Sequence, residues 1–211
     1  MQLDSSDQKR RVAAGYDRVS YAYRSDDFDY AGSDYARVLG LVLPEIGARD
    51  FVVELGCGCG IPVSQVLTPR CRLTGIDISA VQLARASGLV PRASFVRADM
   101  ASLHLRRESL KAVVAFWSLI HVPLEEQPGL LARIHDWLRP GGLFLGTVGY
   151  QEWVGTEDDW CGVPGATMYW SHAGRETYLR WFADAGLQVE REDFIREGDG
   201  GATVLLARRP D

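Results

Sequence analysis

Lysine is scarce in this chain: only Lys9 and Lys111 occur among 23 basic residues in a sequence of 211. The 28 acidic residues outnumber them and leave a net charge of -5. A protein whose main partner is nucleic acid normally carries a basic patch or an excess of positive charge. We therefore expect no nucleic-acid partner.

Long hydrophobic runs and a dense set of cysteines are also missing. No apolar stretch reaches the roughly 18 to 20 residues that a bilayer-spanning helix needs. The charged start, MQLDSSDQKRR, is not followed by the apolar segment of a secretory signal. Four cysteines in a chain of this length do not resemble the framework of a small disulfide-rich protein. We expect a cytoplasmic monomer or homodimer with reduced thiols and no membrane partner.

Two of the cysteines, Cys57 and Cys59, alternate with glycines in the stretch VVELGCGCGIP. A structural metal site would need two further ligands, and neither Cys71 nor Cys161 stands at a convincing spacing from this pair. A redox pair is a second alternative. We interpret both cysteines as small side chains of a glycine loop and predict no metal site.

Short apolar runs alternate with helical segments through the middle of the chain, which predicts right-handed βαβ crossovers and a parallel sheet covered on both faces. Near the C-terminus, two extended runs are separated only by REGDGG, a connection so short that the strands must be antiparallel. We predict a doubly wound α/β fold with a mostly parallel sheet and a C-terminal antiparallel hairpin. The predicted parallel strands are 51–55, 72–77, 93–99, 112–117 and 143–148, with helices over 5–19, 33–43, 62–67, 79–87, 130–138 and 175–185.

The glycine loop follows the first predicted strand, where ligands of doubly wound sheets bind. Glycines there allow a ligand close to the backbone, and Asp77 ends the next strand, where a carboxylate can accept hydrogen bonds from a ribose. A dinucleotide fingerprint G-x-G-x-x-G would require glycine at position 61, which is Ile61. Glu54, just before the loop, favours a positively charged ligand rather than a pyrophosphate.

Five segments, in order and spacing, resemble the successive motifs of class I S-adenosylmethionine-dependent methyltransferases, of the bacterial small-molecule type. The resemblance covers roughly Asp50 to Val148 and implies a Rossmann-like, seven-stranded sheet. It implies S-adenosylmethionine as the cofactor and a small-molecule methyl acceptor as the partner. The segments are VVELGCGCG, GIDIS, RADM, AFWSLIHVP and LRPGG.

The same resemblance implies where the cofactor binds. The acid before the loop and the loop itself correspond to the methionine end, the second-strand acid to the ribose, and the acid of RADM to the adenine. Two tyrosines seven residues apart near the N-terminus resemble a pair that closes over the cofactor. The implied cofactor-binding residues are Tyr16, Tyr23, Glu54, Gly56, Cys57, Gly58, Gly60, Asp77, Ile78, Asp99, Met100, Phe116 and Trp117.

The segment from Gly149 to Gly174 is too long for an ordinary connection after a strand and is rich in aromatic residues. We predict one domain over residues 1–211, with a helical cap over 1–48 and this segment inserted as an aromatic lid. A self-packed surface loop is the alternative. Aromatic side chains can wall an apolar pocket with polar edges. The predicted substrate residues are Tyr21, Trp153, Met168, Tyr169 and Trp170.

Two histidines are candidates for a catalytic base, because histidine titrates near neutral pH. His121 follows the fourth predicted strand, and His172 lies in the aromatic insertion; each could instead have a structural role. We predict O- or N-methylation of a small acceptor, such as a specialised metabolite in a biosynthetic route. A methyltransferase-fold enzyme that keeps the cofactor site but assists another reaction, such as a cyclisation, is the main alternative. A non-enzymatic partner subunit is the third.

Overall fold

A computed structural model describes residues 4–211 and contains nine strands and six α-helices within that range. The strands are Phe51–Leu55 (β1), Arg72–Asp77 (β2), Ser94–Arg97 (β3), Leu110–Ala115 (β4), Leu138–Gly149 (β5), Trp153–Glu157 (β6), Met168–His172 (β7), Gln188–Glu197 (β8) and Gly200–Arg208 (β9). The helices are Ser5–Tyr23 (α1), Asp34–Leu39 (α2), Val63–Leu67 (α3), Ala80–Leu89 (α4), Gln127–Trp137 (α5) and Arg175–Asp184 (α6).

Seven strands form the main sheet in the order β3-β2-β1-β4-β5-β9-β8. Strands β1 to β5 are parallel, whereas β9 pairs antiparallel with both β5 and β8. The predicted doubly wound fold with a C-terminal antiparallel hairpin is therefore confirmed. Two residues, Gly198 and Asp199, join β8 to β9, and Gly198 has the positive φ of 52° that such a tight turn requires.

The antiparallel hairpin has a consequence for the sheet edge that binds ligands. Gly149, the last residue of β5, pairs with Ala202 near the start of β9. The β8–β9 turn therefore lies at the same edge as the carboxyl ends of the parallel strands. This is the edge at which doubly wound sheets bind their ligands, and the hairpin adds residues to it that are distant in sequence.

Two layers of apolar side chains cover the main sheet. On one face, side chains such as Leu130, Ile134 and Trp137 of α5 pack with Phe144 and Phe182. On the other face, α2 and α3 contribute Val38, Leu39 and Leu67 to a second cluster. Such burial on both faces explains why the predicted parallel strands appear in the sequence as nearly continuous apolar runs.

Helix α1 begins after Asp4, whose side chain accepts a hydrogen bond from the Asp7 amide at 2.8 Å. The helix extends four residues beyond the predicted end at 19 and packs on the inserted segment. Gly15 makes this close approach possible, because a Cβ there would lie 2.9 Å from the Met168 side chain. The predicted cap over 1–48 therefore contains α1 and α2, and residues 1–3 lie outside the described range.

The insertion over 149–174 contains secondary structure that the sequence analysis did not anticipate. Strands β6 and β7 form a two-stranded antiparallel sheet, and a 3-10 turn at Trp160–Gly162 lies between them. Trp160, Met168 and Tyr169 pack with Val12 and Val19 of α1 in a third apolar cluster. In residues 4–211 no helix has both the length and the apolar character needed to cross a membrane.

Candidate active site

A cavity of about 640 Å³, here called the cleft cavity, opens beyond the carboxyl ends of β1, β2 and β4 and beneath α1. Ten of the thirteen predicted cofactor residues line it, together with His121. These ten are Tyr16, Tyr23, Gly56, Gly58, Asp77, Ile78, Asp99, Met100, Phe116 and Trp117. The lining also contains residues outside the predicted cofactor set, namely Lys9, Val12, Ala98, Ser118, Val122 and Pro123.

The glycine loop leaves β1 in a conformation that side chains rarely adopt. Gly56, Gly58 and Gly60 have φ values of 74°, 53° and 82°. A Cβ at Gly56 would lie only 2.2 Å from the Cβ of Ser118, which is too close for any real side chain. Gly60 lies outside the cleft cavity and packs against Val90 instead, so it shapes the turn rather than the cavity wall.

Asp77 is held in one orientation by the backbone. One of its carboxylate oxygens accepts from the Gly58 amide and the other from the Ser79 amide, both at 2.8 Å. Burial nevertheless raises the pKa of Asp77 above its ordinary value. No lysine or arginine within residues 4–211 forms an ion pair with it, so a buried carboxylate faces the cavity with its spare lone pairs available.

Asp99 also lines the cleft cavity and is ion-paired. Its carboxylate accepts from Lys9 Nζ at 2.7 Å and from the Ala101 amide at 2.9 Å. Lys9 also pairs with Glu126. These hydrogen bonds outweigh the effect of partial burial and hold the pKa of Asp99 below its ordinary value. Because Lys9 belongs to α1, this pair also fastens the helix over the cavity.

A smaller cavity of about 360 Å³, here called the loop cavity, continues from the cleft cavity along the glycine loop. Glu54 lines it, and burial raises the pKa of this carboxyl to about 8, although Ser64 donates a hydrogen bond to it. Arg24 also lines the loop cavity, as does Gln82, whose Nε2 is buried without a hydrogen-bond partner. The loop cavity therefore presents one acid, one guanidinium and one free amide donor.

Tyr16 and His121 form a hydrogen-bonded pair that the sequence analysis did not predict. The Nδ1 of His121 lies 2.8 Å from the Tyr169 carbonyl, which can only accept, so Nδ1 carries the hydrogen. The Nε2 of His121 is therefore an acceptor for the Tyr16 hydroxyl at 2.9 Å. Complete burial lowers the pKa of His121 to about 4, so the ring is neutral at physiological pH.

A third cavity of about 580 Å³, here called the aromatic cavity, adjoins the cleft cavity at Trp117, which lines both. It opens at the sheet edge where β5 ends and the β8–β9 hairpin turns. Its wall contains the predicted residues Trp153, Trp170 and His172. The full lining is Trp117, Ile120, Val148, Gly149, Tyr150, Gln151, Trp153, Trp170, His172, Glu197, Gly201 and Ala202.

His172 differs from His121 in having a free ring nitrogen. Its Nδ1 lies 2.8 Å from the Gln151 carbonyl and therefore carries the hydrogen. Its Nε2 has no hydrogen-bond partner among the described residues. Burial lowers the pKa of His172 below its ordinary value, so Nε2 is an available acceptor at neutral pH. Of the two predicted bases, only His172 has a lone pair that no protein group occupies.

Three predicted substrate residues lie outside the aromatic cavity. Tyr21 is 68% exposed, and its ring stacks on the guanidinium of Arg85 at 4.0 Å from the centroid. Met168 is fully buried in the contact between α1 and β7. Tyr169 is buried in the same cluster and contributes its carbonyl to His121.

The two loop cysteines are buried and unpaired. Both line the loop cavity. Burial holds the pKa of the Cys57 thiol well above its ordinary value, which disfavours a thiolate. No group of three or more potential metal ligands occurs within residues 4–211.

Comparison with known proteins identifies the central part of the chain. Residues 52–142 match a family described as "Methyltransferase domain". A sterol 24-C-methyltransferase of Debaryomyces hansenii is 32% identical over 113 residues, which is 50% of this chain and 28% of that protein. A trans-aconitate 2-methyltransferase of Deinococcus radiodurans is 35% identical over 120 residues, 55% of this chain and 44% of that protein. Each match thus covers less than half of the relative's length.

The whole chain also aligns with solved structures. A 1,6-didemethyltoxoflavin-N1-methyltransferase of Burkholderia thailandensis, with 1,6-didemethyltoxoflavin and S-adenosylhomocysteine bound, has a TM-score of 0.73 at 17% identity. The alignment covers all of this chain and 92% of that one. At this identity the likeness concerns the fold, and it extends over α1 and the insertion as well as the central sheet.

Proposed function

We propose that this chain, whose central part matches a methyltransferase domain, is a class I S-adenosylmethionine-dependent enzyme that methylates a small-molecule acceptor at oxygen or nitrogen. One observation supports this proposal above the others. Glu54 and Asp77 are buried carboxylates with raised pKa values, and no basic side chain of residues 4–211 pairs with either. Buried carboxylates without a cationic partner are costly even when they accept hydrogen bonds, and a cationic ligand with a ribose would satisfy both.

The residues present fit S-adenosylmethionine along its whole length. The loop cavity would hold the amino-acid end, with Glu54 for the ammonium group and Arg24 with the free Gln82 Nε2 for the carboxylate. In the cleft cavity, Asp77 would accept hydrogen bonds from the ribose, and Asp99 would face the adenine. Arg24 and Gln82 were not predicted from the sequence.

The cofactor supplies an electrophilic methyl group: the acceptor's lone pair forms a bond to the methyl carbon while the carbon–sulfur electron pair stays on sulfur. The protein's contribution is alignment, exclusion of water and removal of a proton. We assign the proton to Nε2 of His172, the free acceptor in the aromatic cavity. His121, whose two nitrogens are both engaged, would position the Tyr16 hydroxyl over the cleft cavity.

The direct test is incubation of the protein with methyl-labelled S-adenosylmethionine and a panel of small hydroxyl- and amine-bearing molecules. We expect label to appear in an acceptor and S-adenosylhomocysteine to form in equal amount. Cofactor that binds while no acceptor in a broad metabolite extract receives label would overturn methyl transfer. It would then favour the other reaction class, in which the cofactor site assists a different chemistry.

A further inference from the structure

The walls of the aromatic cavity are suited to a flat ring system. Trp117, Tyr150, Trp153 and Trp170 all line it. The rings of Trp153 and Trp170 are tilted by 32° with centroids 5.7 Å apart, so their faces turn in nearly the same direction. Aromatic faces bind planar rings by stacking and attract cations by their quadrupoles.

The lining of the aromatic cavity carries only negative charge. Glu197, the last residue of β8, is the only charged side chain in it, and neither lysine nor arginine is among the lining residues. The side chain of Glu197 is exposed and forms no hydrogen bond or ion pair with another residue of 4–211. Partial burial raises its pKa, an effect that nearby Arg24 opposes and Asp34 reinforces. A carboxylate in this position favours a positively charged or hydrogen-bond-donating ligand and disfavours a second carboxylate.

The remaining polar groups of the lining include both acceptors and donors of hydrogen bonds. Nε2 of His172 is a free acceptor in the lining. Trp170 contributes the one buried donor without a partner, its Nε1. A molecule that offers N–H groups to Glu197 and His172 would satisfy both acceptors, whereas an acid would leave them unpaired at a cost.

The position of the cavity relative to the cofactor residues supports its role as the acceptor site. Trp117 lines both the cleft cavity and the aromatic cavity. It holds a positive φ of 54°, rare for a bulky residue, and its amide donates to Thr147 Oγ1 at 2.6 Å. Strained backbone of this kind is concentrated at functional sites.

We propose that the aromatic cavity binds the methyl acceptor and selects flat aromatic amines or nitrogen heterocycles over carboxylic acids, with Glu197 as the specificity-determining residue. This inference rests on the methyl transfer proposed above. It assigns attraction of a cation to Glu197 rather than to the acidic residues of the insertion. Glu157, Asp158 and Asp159 lie outside the lining, whereas Glu197, although it is also exposed, lies within it.

The test uses two probes that share an indole ring and differ in charge, tryptamine and indole-3-acetate. Each is titrated calorimetrically into the full chain saturated with S-adenosylhomocysteine. We expect tryptamine to bind about tenfold more tightly, the size of one favourable cation contact at a partly buried site. The Glu197→Gln variant should bind both probes with similar affinity. Asp199→Asn, two residues away in the exposed turn, is the matched control and should keep the preference.

Equal or tighter binding of indole-3-acetate to the unmodified protein would overturn the inference, as would a preference that survives in Glu197→Gln. Failure of both probes to bind would overturn it as well. The saturating titration with S-adenosylhomocysteine separates this result from the broader proposal. If that ligand binds and acids are preferred, methyl transfer stands and the acceptor class is wrong. If it does not bind, the proposed function itself is wrong.

Discussion

The cleft cavity and the aromatic cavity differ in how their polar groups are satisfied. In the cleft cavity, Asp77 is held by two backbone amides and Asp99 by Lys9 and a backbone amide. In the aromatic cavity, the carboxylate of Glu197 and one nitrogen of His172 form no hydrogen bond with another residue of 4–211. The cleft cavity is therefore preorganised for one ligand, whereas the polar groups of the aromatic cavity are free to bind the methyl acceptor. Variants of each cavity should accordingly affect different measurements.

The largest effect is expected at Gly56 for two reasons. The positive φ would strain any residue with a side chain, and an added Cβ would clash with the Ser118 side chain. Backbone strain and overpacking each cost about 1–3 kcal/mol. We expect Gly56→Ala to lower the free energy of unfolding by several kcal/mol, measured by urea denaturation, and to abolish S-adenosylhomocysteine binding.

Gly88→Ala is the matched control for this variant. Gly88 lies in α4 with no atom within 4 Å of an added Cβ, so the change should be neutral or stabilising by up to about 1 kcal/mol. Unchanged stability and binding in Gly56→Ala would show that the loop is not the rigid element described here.

Asp77→Asn should weaken ligand binding in the cleft cavity and leave binding in the aromatic cavity unchanged. The substitution keeps the shape of the side chain but removes the charge that strengthens its hydrogen bonds to a ribose. Hydrogen bonds to charged groups contribute about 1.5–3 kcal/mol each, so we expect about 100-fold weaker binding of S-adenosylhomocysteine by calorimetry. Binding of tryptamine in the aromatic cavity should change little. A variant that binds the cofactor product normally would remove Asp77 from the site.

His172→Ala should give the opposite pattern. Loss of a general base typically lowers a rate by about 100-fold or more, whereas the cleft cavity does not contain this side chain. We therefore expect turnover with an identified acceptor to fall about 100-fold, with unchanged affinity for S-adenosylhomocysteine. Partial rescue by raising the pH would support a base role. Full turnover in His172→Ala would leave alignment alone as the source of catalysis.

Local sequence patterns were sufficient for the central sheet and for part of the cleft cavity. The runs FVVEL and RLTGID are β1 and β2 with their predicted bounds, because buried parallel strands are apolar and end at turn residues. The loop glycines and Asp77 follow directly from those strand ends. The antiparallel pairing of β8 and β9 was predictable because the link REGDGG is too short for a crossover connection.

The rest of the site depends on contacts between distant segments. Strand β7 packs against α1 through Met168 and Gly15, and nothing in the local pattern of the insertion indicates that partner. Arg24 reaches the loop cavity only because α1 extends to Tyr23. Glu197 reaches the aromatic cavity only because the β8–β9 turn lies beside the end of β5. Such positions follow from strand order and helix packing rather than from motifs.

The smallest expected effect is a pH dependence that distinguishes the two acids near the cofactor. Burial raises the pKa of Glu54 to about 8, so the carboxyl is protonated in the free protein at neutral pH. A cationic amino-acid end favours the ionised form; binding should therefore release a proton and tighten as the pH rises toward 8. We expect about tenfold tighter binding of S-adenosylmethionine at pH 8 than at pH 6.5.

The Glu54→Gln variant should lose this slope, because amides do not titrate. Asp99→Asn is the control: the pKa of Asp99 is already lowered, so its carboxylate is ionised across this range and the slope should persist without it.

Without ligand, the stability of the folded state changes with pH in the opposite direction to the binding affinity. A raised pKa means that the stability contributed by protonated Glu54 is complete below about pH 4.5 and declines as the pH rises through about 8. Binding that is independent of pH in the unmodified protein would remove Glu54 from the cation site.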